Sequence, residues 1–101
     1  MKINWDELAW EEVAPGARQK TVVRASSKLR LVEFTADFVE VGWCLKKHIG
    51  CVLAGDLIID FADSAQSYAA GDGLFILGGE AEKHRARVPV GTVCLLMVEA
   101  A

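Results

Sequence analysis

The stretch that decides the fold reads VGWCLKKHIGCVLAGDLIIDF and runs from Val41 to Phe61. It contains a single histidine, His48, and then an apolar segment that is interrupted once, at Ala54-Gly55-Asp56. Short apolar runs bounded by glycine turns and rich in β-branched residues are typical of buried β-strands. The pattern therefore predicts a long strand over Cys51–Phe61 with a bend or bulge at its glycine.

Short strand-like segments also fill most of the chain outside this stretch, with turn residues between them. The other predicted strands are Gln19–Arg24, Leu29–Phe34, Phe38–Trp43, Ser67–Ala70, Leu74–Leu77, Glu82–Val88 and Thr92–Val98. Turn signals at intervals of roughly 8–12 residues, with little helical periodicity, indicate an all-β sandwich or small antiparallel barrel. A chain this short must protect its sheet edges by closing the barrel or by pairing with a second subunit.

The composition is that of one ordinary globular domain. The chain has 101 residues, of which 25% are charged and 52% hydrophobic, and its net charge is −3. Lysine and arginine form no stripe and no apolar run approaches a membrane span, so we expect neither a nucleic-acid partner nor a membrane. No signal peptide is visible. Three cysteines without a CxxC pair favour reduced thiols and a cytoplasmic location.

The first 17 residues differ in character from the rest and are predicted to form an N-terminal arm on a barrel of residues 18–98. They carry Trp5 and Trp10, a short helical turn that Asn4 or Asp6 could cap, and a break at Pro15-Gly16. We expect the arm to lay its tryptophans on the domain's surface or on a partner subunit. Together with the exposed strand edges, the arm leads us to predict a homodimer.

Two glycine-anchored segments make the chain resemble a small single-domain cupin. The family's first motif, G-x5-H-x-H-x3,4-E-x6-G, is matched at its end by His48 to Gly55, with six residues between them. Its second motif, G-x5-P-x-G-x2-H-x3-N, is matched at its start by Gly71–Gly79, with Leu77 in place of the proline. The resemblance covers roughly residues 29–98 and implies a cupin-type jelly roll, or double-stranded β-helix.

The sequence departs from the family at the positions that matter for metal binding. A full cupin holds a metal with three histidines and a carboxylate inside the barrel. Here His48 stands where the carboxylate would be, and the first motif's two histidines fall on Gly42 and Cys44. The second motif's histidine falls on Glu82, unless the turn carries two extra residues and His84 takes that role. The complete ligand set is therefore absent.

Strand alternation nevertheless predicts that some polar groups converge inside the barrel. His48 is followed on its face by Gly50, Val52 and Ala54, and Glu82 and His84 are followed on theirs by Ala86 and Val88. Cys44, His48, Glu82 and His84 are therefore the candidate metal ligands, and such a set suits zinc, iron or nickel. The residues expected to line a ligand pocket are Trp43, Gly50, Val52 and Phe75.

Three interpretations of these residues stay open. The chain could bind a divalent metal and a small anionic ligand inside the barrel, with or without catalysis. It could instead be a non-catalytic, metal-free barrel that binds or senses a small ligand. The histidines could also be neutral, hydrogen-bonded core residues. Lys46 and Lys47 would suit an anion at the barrel mouth, or they could simply be solvated strand ends.

Overall fold

The computed structural model describes residues 1–101, and it consists of two antiparallel sheets that face each other across one core. The six-stranded sheet has the strand order β1-β2-β3-β9-β4-β7, and the three-stranded sheet has the order β6-β5-β8. The strands are β1 (Glu11–Ala14), β2 (Ala17–Arg24), β3 (Ser27–Thr35), β4 (His48–Ala54), β5 (Asp56–Phe61), β6 (Ala65–Ala69), β7 (Gly73–Ile76), β8 (His84–Arg87) and β9 (Thr92–Ala100). The all-β jelly-roll prediction is confirmed.

Two short 3-10 helices complete the structure, at Trp5–Glu7 and Glu80–Glu82. The first is the predicted helical turn of the arm, and the Asn4 side chain caps it by accepting a hydrogen bond from the Asp6 N–H at 3.2 Å. The structure contains no helix with the length and hydropathy needed to cross a bilayer.

The core lies between the two sheets and is built from the inward-facing positions of both. Its members are Val32, Val52, Leu57, Ile59, Leu74, Ile76, Val88, Val93, Leu95 and Met97. In β9 the odd-numbered positions from Val93 to Met97 are buried and the intervening ones are only partly so, which is the alternation expected of a strand with one face on a core. The same alternation sets His48 on the inner face of β4, paired with Ile76 of β7.

The predicted long strand over Cys51–Phe61 is two strands in different sheets. Gly55 separates β4 from β5 with a φ of +83°, and its Cβ position would lie 2.2 Å from the Thr92 carbonyl oxygen. Only glycine fits this conformation at such a close approach. The expected bend is therefore the corner at which the chain leaves one sheet and joins the other.

Two other sequence predictions differ from the structure. Phe38–Trp43 is a loop and not a strand, because Phe38 turns back to stack on Phe34 with ring centroids 4.4 Å apart. The N-terminal arm contains a strand, β1, which pairs with β2 at the edge of the six-stranded sheet. Trp10 of the arm packs against its own domain, with the Arg18 guanidinium 4.2 Å from the centroid of its ring.

Candidate metal centre

Three potential ligands meet at one end of the space between the sheets, and each comes from a different element. His48 is the first residue of β4, His84 is the first residue of β8, and Cys44 lies in the loop before β4. One ligand atom from each lies within 4.8 Å of the other two. We refer to this group as the Cys44–His48–His84 cluster.

Backbone hydrogen bonds fix Cys44 beside His84. The Cys44 N–H donates to the His84 carbonyl at 2.8 Å, and the His84 N–H donates to the Cys44 carbonyl at 3.1 Å. The same loop is held one residue later, where the Gly79 N–H donates to the Leu45 carbonyl at 2.9 Å. Gly78, with a φ of +81°, passes so close that its Cβ position would lie 2.5 Å from this carbonyl oxygen. The glycine pair therefore ties the Cys44 loop to the segment that leads into β8.

His84 is presented with one ring nitrogen occupied and the other free. Its side chain is almost fully buried, at 2% exposure, and Nδ1 lies 2.9 Å from the Glu82 carbonyl oxygen. A carbonyl can only accept, so Nδ1 is the protonated nitrogen and donates this bond. Nε2 is buried and has no hydrogen-bond partner. A histidine whose outer nitrogen donates to a carbonyl while its inner nitrogen is unpaired has the arrangement found in metal ligands.

His48 is buried with its ring edge-on to that of His84, at a centroid distance of 5.0 Å. Burial is the main reason that its pKa falls from 6.5 to about 4, and the neighbouring charge of His84 lowers it further. The ring is therefore neutral at physiological pH and keeps a lone pair for a ligand. Its Nδ1 lies 3.8 Å from the Glu99 carboxylate and has no hydrogen bond.

The distance between Cys44 and His48 fits a shared metal. Cys44 Sγ lies 3.6 Å from His48 Nε2. Ligand distances of about 2.3 Å for Zn–S and about 2.0–2.1 Å for Zn–N, at a tetrahedral angle, put the two ligand atoms about 3.6 Å apart. The same distance is also compatible with an S–H···N hydrogen bond. The unpaired and buried His84 Nε2 favours a metal, since buried polar atoms normally find a partner.

A small cavity adjoins the two histidines. Its volume is about 40 Å³, and its polar lining consists of His48, His84 and Glu40, with apolar core residues around them. A cavity needs about 10–15 Å³ for one water, whereas ligand pockets span about 300–1,000 Å³. The interior therefore has room for one or a few water molecules and not for an organic ligand.

Glu40 is the residue at this site that the sequence did not indicate. Its carboxylate accepts a hydrogen bond from the Ala86 N–H at 3.0 Å, which turns the loop before Cys44 inward against β8. Burial raises the pKa of Glu40, although the bond from Ala86 offsets part of that effect. Glu40 lies in the segment predicted as a strand, where alternation gave no reason to single it out. An acidic residue between Val39 and Val41 was the only available signal.

Glu82 lies outside the cluster. It ends the second 3-10 helix instead of sharing a strand face with His84, and its carboxylate accepts a hydrogen bond from the Leu77 N–H at 2.8 Å. The contribution of Glu82 to the site is its backbone carbonyl, which orients His84.

The residues expected to line a pocket occupy four different places. Val52 belongs to the packed core, and Gly50 allows β4 to approach β9, because its Cβ position would lie 2.0 Å from the Leu96 carbonyl oxygen. Phe75 points away from the interior and is 69% exposed, since Leu74 and Ile76 take the inward positions of β7. Trp43 lies outside the cavity with the Arg85 guanidinium 4.1 Å from the centroid of its ring.

Comparison with solved structures identifies the fold as that of the cupins. KdgF from Halomonas sp. superposes with a TM-score of 0.77 at 18% identity, over 94% of this chain and 87% of that one. A cupin-2 domain containing protein from Shewanella frigidimarina gives 0.72 at 19% identity, over 98% and 94%. A sugar phosphate isomerase of the cupin superfamily from Silicibacter pomeroyi gives 0.78 at 13% identity, over 100% and 76%.

The resemblance to cupins is thus confirmed at the level of the fold. The sequence itself matches no protein-family model, and a search of curated proteins gives no match either. What this chain does must therefore be argued from its own residues.

Proposed function

We propose that this protein is a small cupin-fold metalloprotein that holds one divalent transition metal at the Cys44–His48–His84 cluster. One observation carries the proposal: His84 Nε2 is buried without a hydrogen-bond partner, and its residue lies in a cluster whose ligand atoms are all within 4.8 Å of one another. A thiolate and two imidazoles suit zinc best among the common metals, and iron or nickel next.

Three protein ligands correspond to the coordination of catalytic zinc sites, which keep a fourth position open. A metal bound there would supply Lewis acidity at the edge of the 40 Å³ cavity. The protein's own part is to hold the His48 imidazole neutral, exclude bulk water and place the Glu40 carboxyl in the lining of the same cavity. We propose metal-dependent conversion of a small molecule. The similar structure from Silicibacter pomeroyi is named as a sugar phosphate isomerase, an enzyme that converts small molecules.

The decisive measurement is the metal content of protein purified without a His tag or chelators. We expect about one equivalent of zinc per chain and, after cobalt substitution, a thiolate-to-cobalt charge-transfer absorption. Cys44→Ser should abolish that absorption and lower the metal content. Cys51→Ser is the matched control, because Cys51 is also a half-buried free thiol but lies outside the cluster. A content below about a tenth of an equivalent in wild-type protein would contradict the proposal.

The alternative is a metal-free barrel, in which Cys44 donates its S–H to His48 Nε2 across the observed 3.6 Å. The same metal analysis distinguishes the metal-binding protein from the metal-free barrel. In the metal-free case Cys44→Ser and Cys51→Ser would both leave the metal content at zero, and the barrel would then be a non-catalytic ligand-binding or sensing module.

We also propose that the protein is a cytoplasmic homodimer. Three free cysteines fit a reducing compartment. Support for the dimer comes from the outer face of the six-stranded sheet, where Leu53 and Phe75 are 49% and 69% exposed. An apolar sheet face of this kind normally packs against another surface.

A further inference from the structure

A second concavity, much larger than the cavity beside the histidines, lies where the turn before β3, the start of β4 and the end of β9 meet. Its volume is about 580 Å³, within the range of about 300–1,000 Å³ that is usual for small-molecule sites. Its polar lining consists of Ser26, Ser27, Lys28, Lys46, Lys47 and Glu99. We call it the lysine groove.

The groove carries positive charge in a chain whose net charge is −3. Three lysines line it against a single carboxylate, that of Glu99. Glu99 is already neutralised, because it pairs with Arg30 and lies 3.5 Å from Lys28 Nζ. Burial would raise the pKa of Glu99, but the hydrogen bond and charge of Arg30 outweigh it and hold this pKa below its usual range.

Lys46 and Lys47 supply the uncompensated charge. Both are exposed, and the ion pairs of the structure involve other residues, so neither ammonium group has a carboxylate within salt-bridge distance. Two adjacent ammonium groups beside the hydroxyls of Ser26 and Ser27 offer charge and hydrogen-bond donors to the same ligand group.

The groove lies beside the candidate metal centre. Glu99 lines the groove and its carboxylate is 3.8 Å from His48 Nδ1, the nitrogen on the far side of the ring from Cys44. Lys47 and Ile49, the neighbours of His48 in the chain, both line the groove. A molecule seated there would lie one side chain away from the cluster.

We propose that the lysine groove binds the anionic group, a carboxylate or a phosphate, of a small molecule. This deepens the proposed function by assigning a ligand class. The inference rests on the proposed function only in stating that the ligand lies beside a metal. The anion site itself depends on the groove alone.

The test is a titration of the protein with inorganic phosphate and with succinate, using sodium chloride at matched ionic strength as the reference. Isothermal calorimetry or amide shift mapping would give the dissociation constants. We expect Lys46→Gln/Lys47→Gln to weaken binding of the preferred anion by about tenfold or more, as the loss of two partly exposed charge contacts should.

The matched control is Arg18→Gln/Lys83→Gln, which removes two positive charges outside the groove. We expect it to change the dissociation constant by less than about twofold. Equal weakening in both double variants would overturn the proposal, since it would reduce the effect to net charge. Binding of neither anion above the chloride reference, or binding only to vesicles of anionic lipid, would also overturn it.

Metal content measured on the same samples separates this inference from the proposed function. Anion binding that depends on Lys46 and Lys47 in protein that contains no metal would support the groove and contradict the metal centre. A full equivalent of metal without anion binding would support the metal centre and contradict the anion-binding groove.

Discussion

Glu40 shows how one side chain can have both a structural and a chemical role. Its carboxylate satisfies the Ala86 N–H and also lines the cavity beside both histidines. Glu40→Gln keeps an acceptor for Ala86 and removes a partly buried charge, so we expect a free energy of unfolding at neutral pH equal to or slightly above that of wild type. Glu40→Leu leaves the N–H unpaired and should cost about 1–3 kcal/mol.

Urea denaturation of the two variants measures this difference. Similar losses for Gln and Leu would show that the charge of Glu40, and not its hydrogen bond to Ala86, is what the fold requires.

His48 makes a pH-dependent contribution to the stability of the metal-free protein. Its pKa is about 4 in the folded chain and near 6.5 when unfolded, chiefly because burial disfavours the imidazolium. The unfolded chain therefore binds more protons between these values. The contribution of His48 is complete above about pH 6.5 and is lost as the pH falls towards 4.

The expected loss between about pH 7.5 and about pH 5 is about 1–2 kcal/mol, after allowance for the partial exposure of the ring. The measurement is the difference between wild type and His48→Gln in the free energy of unfolding at the two pH values. A difference that does not change with pH would contradict the assigned burial effect.

The sequence was sufficient to single out Cys44, His48 and His84, which the structure brings together, and insufficient to predict their surroundings. Chain spacing and alternation identify residues that share a strand face, and His48 obeys that rule at the start of β4. Glu82 does not, because it ends a 3-10 turn over Glu80–Glu82, and the strand that was expected to begin at Glu82 begins at His84. Short turns of this kind leave no periodic signal, so the orienting role of the Glu82 carbonyl was not predictable.

At the level of elements, the contact between β4 and β9 depends on Gly50. Gly50 is paired with Met97, and a Cβ at this position would lie 2.0 Å from the Leu96 carbonyl oxygen. Backbone atoms of two central strands cannot move apart without breaking their hydrogen bonds. Gly50→Ala should therefore lower the free energy of unfolding by about 3 kcal/mol or more.

Gly42→Ala is the control for this prediction, because nothing lies within 4 Å of its Cβ position. We expect a change within about 0.5 kcal/mol for that variant. Thermal or chemical denaturation measures the free energy of unfolding of both variants. Equal losses in Gly50→Ala and Gly42→Ala would show that the strands adjust to a side chain at position 50.

Strand existence was easier to predict than strand boundaries or sheet membership. The alternation in Leu29–Phe34 and the nearly pure apolar run Thr92–Val98 predict both strands, and these pair along their full length as β3 and β9. No pattern in Cys51–Phe61 shows that its two halves belong to different sheets, since both halves are apolar. Glu11–Ala14 was not recognised as a strand because two adjacent glutamates hide its alternation.

For the molecule as a whole, the outer face of the six-stranded sheet is only partly covered. The N-terminal arm packs over β2, where Lys20 Nζ donates to the Trp5 carbonyl at 2.7 Å. On the β4-β7 side, Leu53 is 49% exposed and Phe75 is 69% exposed. The arm thus covers one half of the face, and the other half is where we propose that a second copy packs.

We expect wild-type protein to sediment as a dimer at micromolar concentration and Phe75→Lys to sediment as a monomer. A lysine at the centre of an apolar interface would bury an unpaired charge, whereas on the free monomer it would be solvated without cost. Val90→Lys is the matched control, because Val90 is 71% exposed but lies in the turn after β8, away from this face. A monomeric wild type would contradict the dimer. Dimers in all three proteins would instead contradict the assignment of its interface to β4 and β7.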